Sequence, residues 1–155
     1  MLHIIYLYIF LNINYSDKEL VNDVLDKLHY YASIADGENY FKLFDESSIF
    51  FGTDANERWS KSEFKDYALE RFKDGTGWAY KPITRNIYFS KNKTIAWFDE
   101  ELENKKYGVF RGTGVLEKNR DSWKIKQYNL LLPIPNDLLI NYSKEIQKYL
   151  ENEKE

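Results

Sequence analysis

The sequence predicts an α+β domain: a strongly bent antiparallel sheet with helices before it and a further helix after it. Three observations carry this. Runs rich in aromatic and β-branched residues (TIAWFDEEL, YGVFRGTGVLEK and SWKIKQYNLLL) fill Thr94 to Leu132, with short polar breaks at Glu103–Lys106 and Lys118–Asp121. Two capping boxes, Ser16-Asp17-Lys18-Glu19 and Ser60-Lys61-Ser62-Glu63, each open an apolar stripe at helical spacing. Aromatic residues make up 17% of the chain, which favours a curved sheet closing on a ring-rich core or cavity.

Residues 1–15, MLHIIYLYIFLNINY, are an apolar opening whose uninterrupted part is too short to span a bilayer. No Lys or Arg precedes it and no small-residue cleavage site follows. Three readings stand for it: a degenerate export signal, a packed N-terminal element, or part of a longer leader. The compartment, cytoplasmic or exported, is left open. The first helix begins at Ser16, buries Val21, Val24, Leu25, Leu28 and Ala32, and ends near Asp36-Gly37. A short second helix spans Glu38 to Phe44, with Tyr40, Phe41 and Phe44 inward. Ser48–Gly52 is a short strand and Thr53–Trp59 a loop. The Ser60-capped helix runs to about Lys73 on a face of Phe64, Tyr67, Ala68 and Phe72, and Gly75 and Gly77 end it. A strand begins near Trp78–Tyr80, with Pro82 placing it at an edge. Ile83–Ser90 then joins the three long runs as a fourth strand. Beyond Pro133-Ile134-Pro135, Asn136 to about Leu150 forms an amphipathic helix with the stripe Leu139, Tyr142, Ile146, Tyr149 and Leu150. This divides the chain into an apolar segment at 1–15, one domain at 16–138, and a helix with a charged tail at 139–155.

Bulk properties exclude several classes. At 155 residues, 43% hydrophobic and 30% charged, the chain has the composition of a single globular domain with a real core. A net charge of −3 gives no electrostatic basis for nucleic-acid binding. Without Cys there is no disulfide, thiolate nucleophile or Cys-ligated metal, and His3 and His29 alone do not make a histidine metal site. No metal and no cofactor is expected. Arg111-Gly112-Thr113-Gly114 has a GxG spacing, but it lies mid-strand with no helix after it, so it is a bending device and not a phosphate loop.

With turns centred on the polar breaks, Arg85 is expected opposite Asp99, Asp99 opposite Arg111, and Arg111 opposite Asn129. The next row holds Ile87, Trp97, Thr113 and Gln127. That face also carries Val109, Val115, Trp123 and Ile125, so its polar groups must pair or meet a ligand. Asp99 is the candidate catalytic carboxylate. Desolvation would make it a base, whereas two flanking arginines would hold it ionised as an ion-pair partner. Arg111 and Arg85 are candidate clamps for an oxyanion, or internal partners of Asp99 or Glu101. Trp59, Tyr80 and Trp97 are candidate floor residues for a flat ligand, or core. Thr113, Gln127 and Asn129 are candidate neutral hydrogen-bonding groups. Trp123 is read as core, Asp45-Glu46 as solvated, and His29 as a core or surface residue.

The order helix, short helix, strand, helix, meander, together with certain motifs, resembles the SnoaL-like branch of the nuclear transport factor 2-like (NTF2-like) superfamily. Those motifs are Phe51-Gly52-Thr53-Asp54, Glu57-Arg58-Trp59, Arg85-Asn86-Ile87, Ala96-Trp97-Phe98-Asp99, Arg111-Gly112-Thr113-Gly114-Val115-Leu116 and Trp123-Lys124-Ile125-Lys126-Gln127-Tyr128-Asn129. The resemblance covers about residues 18–138 and implies a cone with a pocket at its open end, and a homodimer through the outer sheet face. Members include polyketide cyclases, ketosteroid isomerases, epoxide hydrolases, dehydratases and non-enzymatic domains, so the fold constrains function weakly. Many relatives place a His near the end of the last strand, where this chain has Asn129. The leading expectation is a metal-free pocket that binds a small organic molecule. The alternatives are a lyase or isomerase using Asp99, and a homodimeric association module using an outer face with Phe98, Phe110 and Tyr128.

Overall fold

The computed structural model describes residues 15–120 and 122–152, so the apolar segment before Tyr15 and the last three tail residues lie outside the described residues. Both capping boxes form. Ser16 opens α1 (Asp17–Ser33) and Ser60 opens α3 (Lys61–Phe72). In each, the serine hydroxyl accepts from the N3 amide while the N3 glutamate reaches back to the cap. Between them lie α2 (Gly37–Lys42), β1 (Phe44–Phe51) and a short β2 (Arg58–Ser60). The meander consists of β3 (Lys81–Phe89), β4 (Ile95–Asn104), β5 (Gly108–Asn119) and β6 (Ser122–Leu131), and α4 (Asn136–Asn152) ends the described chain.

The six strands form one curved sheet in the order β2-β1-β6-β5-β4-β3. All neighbours are antiparallel except β1 and β6, which run parallel. The meander is antiparallel as expected, and β1 joins its β6 edge in parallel. The chain reaches β1 from the helices, and not by a hairpin from β6, so a parallel pairing is sterically available. Sheet curvature has local causes: register shifts at Pro82/Thr84 in β3 and at Val115/Leu116 between β5 and β6. The concave face packs on the stripe Val21, Leu25, Leu28 and Ala32 of α1 and on a ring cluster centred on Phe64 of α3. Among the described residues no helix is long and apolar enough to cross a membrane.

The observed registers correct the expected ones. Arg85 lies opposite Glu100, Asp99 opposite Thr113, and Thr113 opposite Asn129, while Arg111 sits between Glu101 and Leu131. The sidedness is also reversed. In β4 the buried parity is Ala96, Phe98, Glu100 and Leu102, and the exposed parity includes Trp97, Asp99 and Glu101. Phe98, Phe110 and Tyr128, expected on the outer face, are core residues. Trp123 and Ile125 point inward while Gln127 points outward, because the register shift beside Val115 reverses the alternation within β6.

Candidate functional site

The site starts from one face of α1. Asn22, Asp26 and His29 recur at i, i+4 and i+7 beside the apolar stripe, so all three polar side chains lie along the helix where it crosses the sheet. The inward residues of β3 and β4 opposite them are Arg85 and Glu100, a cross-strand pair. The Glu100 side chain is fully buried, and Arg85 is only 8% exposed. His29 Nε2 lies 2.8 Å from Glu100 Oε1, Arg85 Nε donates to Oε2 at 2.8 Å, and the Tyr128 hydroxyl donates to Oε1 at 3.0 Å. Arg85 Nη1 continues the chain of contacts to Asp26 Oδ1 at 2.7 Å and Asn22 Oδ1 at 3.2 Å.

These contacts fix the protonation pattern. Burial pushes the Glu100 carboxyl up. The His29 hydrogen bond, the charges of His29 and Arg85 and the Arg85 hydrogen bond outweigh it and hold the group below its ordinary 4.5. Burial, reinforced by the Glu100 charge, holds the Tyr128 hydroxyl well above its ordinary 10, so it remains a donor. An ionised Glu100 can only accept, so His29 Nε2 carries the proton directed at it. In the neutral imidazole the lone pair is then on Nδ1, which has no hydrogen-bond partner among the described residues.

Glycine at 112 makes the arrangement possible. It is an inward position of β5, paired with Glu100 on one side and Leu130 on the other. A Cβ there would lie 2.5 Å from the Tyr128 hydroxyl and 2.9 Å from Glu100 Oε1. The missing side chain leaves the slot in which Tyr128 reaches across β5 to Glu100.

His29 and Tyr128 form part of the wall of a cavity of about 130 Å³ that is open on one side. The rest of the wall is largely aromatic. From Tyr128 outward the rings of Phe50, Phe64, Trp59 and Tyr67 follow one another, with neighbouring planes 11–24° apart. Trp78 continues this orientation, 17° from Tyr67 and 21° from Phe64. Tyr40 and Tyr80 add hydroxyls. Burial holds both above their ordinary value, and they stay protonated. Among the described residues Glu57 is the one carboxylate on the wall, and no Lys or Arg lines it. Among the described residues no three His, Cys, Asp or Glu side chains gather as metal ligands.

Of the sequence-predicted site residues, Trp59 and Tyr80 line this cavity, and Arg85 stands behind it as the partner of Glu100. The others lie elsewhere. Asp99 is on the outer face, where its carboxylate accepts from Asn86 at 2.9 Å. Trp97 stacks on Tyr88 on the same outer face, 16° from parallel. Arg111, Thr113, Gln127 and Asn129 share that outward parity. His29, expected as a core or surface residue, and Tyr128, expected on the outer face, meet at Glu100, for which the sequence reading assigns no site role. Glu100 had a readable signal, as the one charged residue on the otherwise apolar inward parity of β4.

With the geometry in hand, comparison with known proteins gives consistent results. The model of the SnoaL-like domain family matches residues 21–135. Among solved structures, a candidate dehydratase of the NTF2-like family from Streptomyces avermitilis superposes with a TM-score of 0.66 at 12% identity, covering 77% of this chain and 97% of that one. A candidate scytalone dehydratase from Novosphingobium aromaticivorans gives 0.63 at 17% identity, covering 76% and 85%. An NTF2-like protein from Cytophaga hutchinsonii gives 0.62 at 16% identity, covering 77% and 100%. At these identities the likeness establishes the fold. No curated protein matches the chain in sequence.

Proposed function

The chain belongs to the SnoaL-like domain family of the NTF2-like superfamily, and we propose that its cone binds a small, flat organic molecule of about one ring that bears a carbonyl or hydroxyl oxygen. The observation that carries this is His29, held from behind by Glu100, at the wall of a cavity lined largely by aromatic rings. A dry cavity of about 150 Å³ holds benzene in other proteins, which sets the size class. The parallel rings favour a planar body by offset stacking. The Tyr40 hydroxyl is available as a donor and His29 Nδ1 as an acceptor, so a single oxygen function on the ligand finds a complementary group.

The same geometry supports a lyase- or isomerase-type proton transfer, with His29 in the acid–base role and not Asp99. Glu100 holds the imidazole in one tautomer and steadies the imidazolium that forms when Nδ1 takes a proton. Tyr40 would donate to the oxygen on which negative charge develops. The resemblance of the fold to structures described as dehydratases is in keeping with this class. An association role is supported by the exposed Tyr88–Trp97 stack on the outer sheet face, where a homodimer would form.

Acetophenone is a fitting probe, with one ring, one carbonyl and exchangeable methyl hydrogens. Calorimetric titration is expected to show saturable binding to the native protein. Ala32→Leu, which fills the cavity from α1, should abolish it. Equal binding by both would refute the pocket. In deuterium oxide, proton NMR should show methyl exchange accelerated by the protein and lost in His29→Gln. Binding without exchange would leave the pocket standing and remove the enzymatic reading.

A further inference from the structure

We infer that the ligand of the cone is a cation, with an ammonium group on a short arm from its ring, held at the opening of the cavity by Glu57 and the neighbouring ring faces. This rests on the reading of the cone as a pocket for a one-ring molecule, and it names the group that selects among such molecules. The cavity has an inner and an outer end. His29, Tyr40, Phe64 and Tyr128 are 2–8% exposed and close the inner end. Tyr67 is 45% exposed and Glu57, Trp59 and Trp78 are partly exposed, so these four lie toward the opening. One ring seated among the inner residues takes up a volume of about 130 Å³, and a further substituent must point outward, toward Glu57.

The carboxylate is built into its place. The Gly52 amide donates to the Glu57 carbonyl at 2.9 Å and the Glu57 amide to the Asp54 carbonyl at 3.0 Å, closing a tight loop after β1. The side chain folds back so that Oε2 accepts from the Asp54 amide at 3.1 Å. It lies against bare backbone at Gly52, where a Cβ would collide with the carboxylate. The other oxygen, Oε1, has no hydrogen-bond partner among the described residues and is left for a ligand.

Its charge is unmatched. Glu100 is balanced by Arg85, but among the described residues no Lys, Arg or His stands within ion-pair distance of Glu57. Two arginines close by in sequence or in space are engaged on other rings. The Arg58 guanidinium lies 5.8 Å from the centre of the Phe51 ring and that of Arg71 lies 5.5 Å from the centre of Trp78, and neither side chain lines the cavity. An anionic ligand would therefore meet one carboxylate and no Lys or Arg on the wall. A cation meets that carboxylate together with Trp59, Tyr67 and Trp78, whose ring faces carry the negative lobe of the aromatic quadrupole. The Arg71 contact shows that Trp78 already takes a cation on its face. An ammonium at the mouth also leaves the inner end free for the ring and its oxygen, beside Tyr40 and His29.

Three phenols that differ only at the end of a two-carbon arm test this: tyramine with an ammonium, 4-propylphenol with a methyl, and 3-(4-hydroxyphenyl)propanoate with a carboxylate. Calorimetric titration of the native protein at neutral pH should show tyramine binding at least about tenfold tighter than 4-propylphenol, and the propanoate weakest of the three. In Glu57→Gln, whose amide oxygen can still accept from Asp54, the ratio of the tyramine and 4-propylphenol affinities should fall to within about twofold of one. That ratio is read within each protein, so a general weakening of the variant cancels. A native protein that binds 4-propylphenol as tightly as tyramine, or a tyramine preference that survives Glu57→Gln, would overturn the inference and leave the pocket standing. Failure of all three phenols to bind would overturn the inference and the pocket together.

Discussion

His29 Nε2 and Glu100 Oε1 stand 2.8 Å apart across 71 residues of sequence, joining the first helix to the second strand of the meander. Glu100 also accepts from Arg85 and Tyr128, so one fully buried carboxylate ties α1, β3, β4 and β6 together. The two adjacent carboxylates on β4 thus have opposite environments.

That contrast gives the first prediction. Glu100→Gln keeps the shape but leaves Arg85 and His29 facing a neutral amide inside the cone. Removing one member of a buried charged pair costs about 3–5 kcal/mol. Among the described residues Asp99 hydrogen-bonds only to Asn86, at the outer face, so Asp99→Asn should change stability by no more than about 0.5 kcal/mol. Urea unfolding of the two variants measures both. Equal midpoints would mean that Glu100 does not hold the cone together.

The same pair of residues shows how far the sequence could be read. The capping serines, the meander and its alternation were all legible, because caps and period-two patterns are local signals. Which parity faces inward is legible too, but of the expected row Arg85, Asp99, Arg111 and Asn129 only Arg85 lies on that side. Asp99 shares its parity with Glu101 and Glu103, three acids that no single cavity would bury, whereas Glu100 stands alone among Ala96, Phe98 and Leu102. The pairing with His29 was not legible. It depends on how α1 lies across the sheet and on register shifts, and a shift of one residue moves every side chain to the other face. Trp59 and Tyr80 lie at the cavity because the loop after β1 and the segment before β3 meet at the open end, a matter of topology and not of pattern.

Stability should fall in acid along a defined route. Glu100 is held below its ordinary 4.5, and Asp45, bonded by the Ser47 amide and by Lys126, is held at about 2 against an ordinary 3.8. Because both folded values are depressed, the unfolded chain takes up these protons first as pH drops. Their stabilisation is therefore complete above about pH 5 and is lost as pH falls through the folded values. Unfolding free energy measured from pH 6 to 2 should decline across that window. Asp45→Asn should flatten the slope between about pH 4 and 2. Glu100→Gln, weaker at neutral pH, should converge on the native curve in acid. Parallel curves for native protein and Glu100→Gln would show that the carboxylate is not ionised in the folded state.

Gly112→Ala tests the construction of the site from the backbone side. The added methyl would lie 2.5 Å from the Tyr128 hydroxyl and 2.9 Å from Glu100 Oε1, closer than either contact allows. Gly112 is hydrogen-bonded into the sheet between β4 and β6, so the strand cannot move away without breaking ladder bonds on both sides. The Tyr128 ring is stacked on Phe50 and cannot swing freely either. Relief must come from withdrawing Glu100 or Tyr128, at a cost of about 1–3 kcal/mol, as for other overpacked interior positions. Gly114, two residues on, serves as the comparison. It too is crowded, but by Phe98 and the Gln127 carbonyl, away from the charged pair. Both alanine variants should therefore lose stability, while only Gly112→Ala should shift the His29 ring signals in a proton–nitrogen correlation spectrum. An unchanged His29 signal in Gly112→Ala would show that Glu100 and Tyr128 keep their places without the glycine.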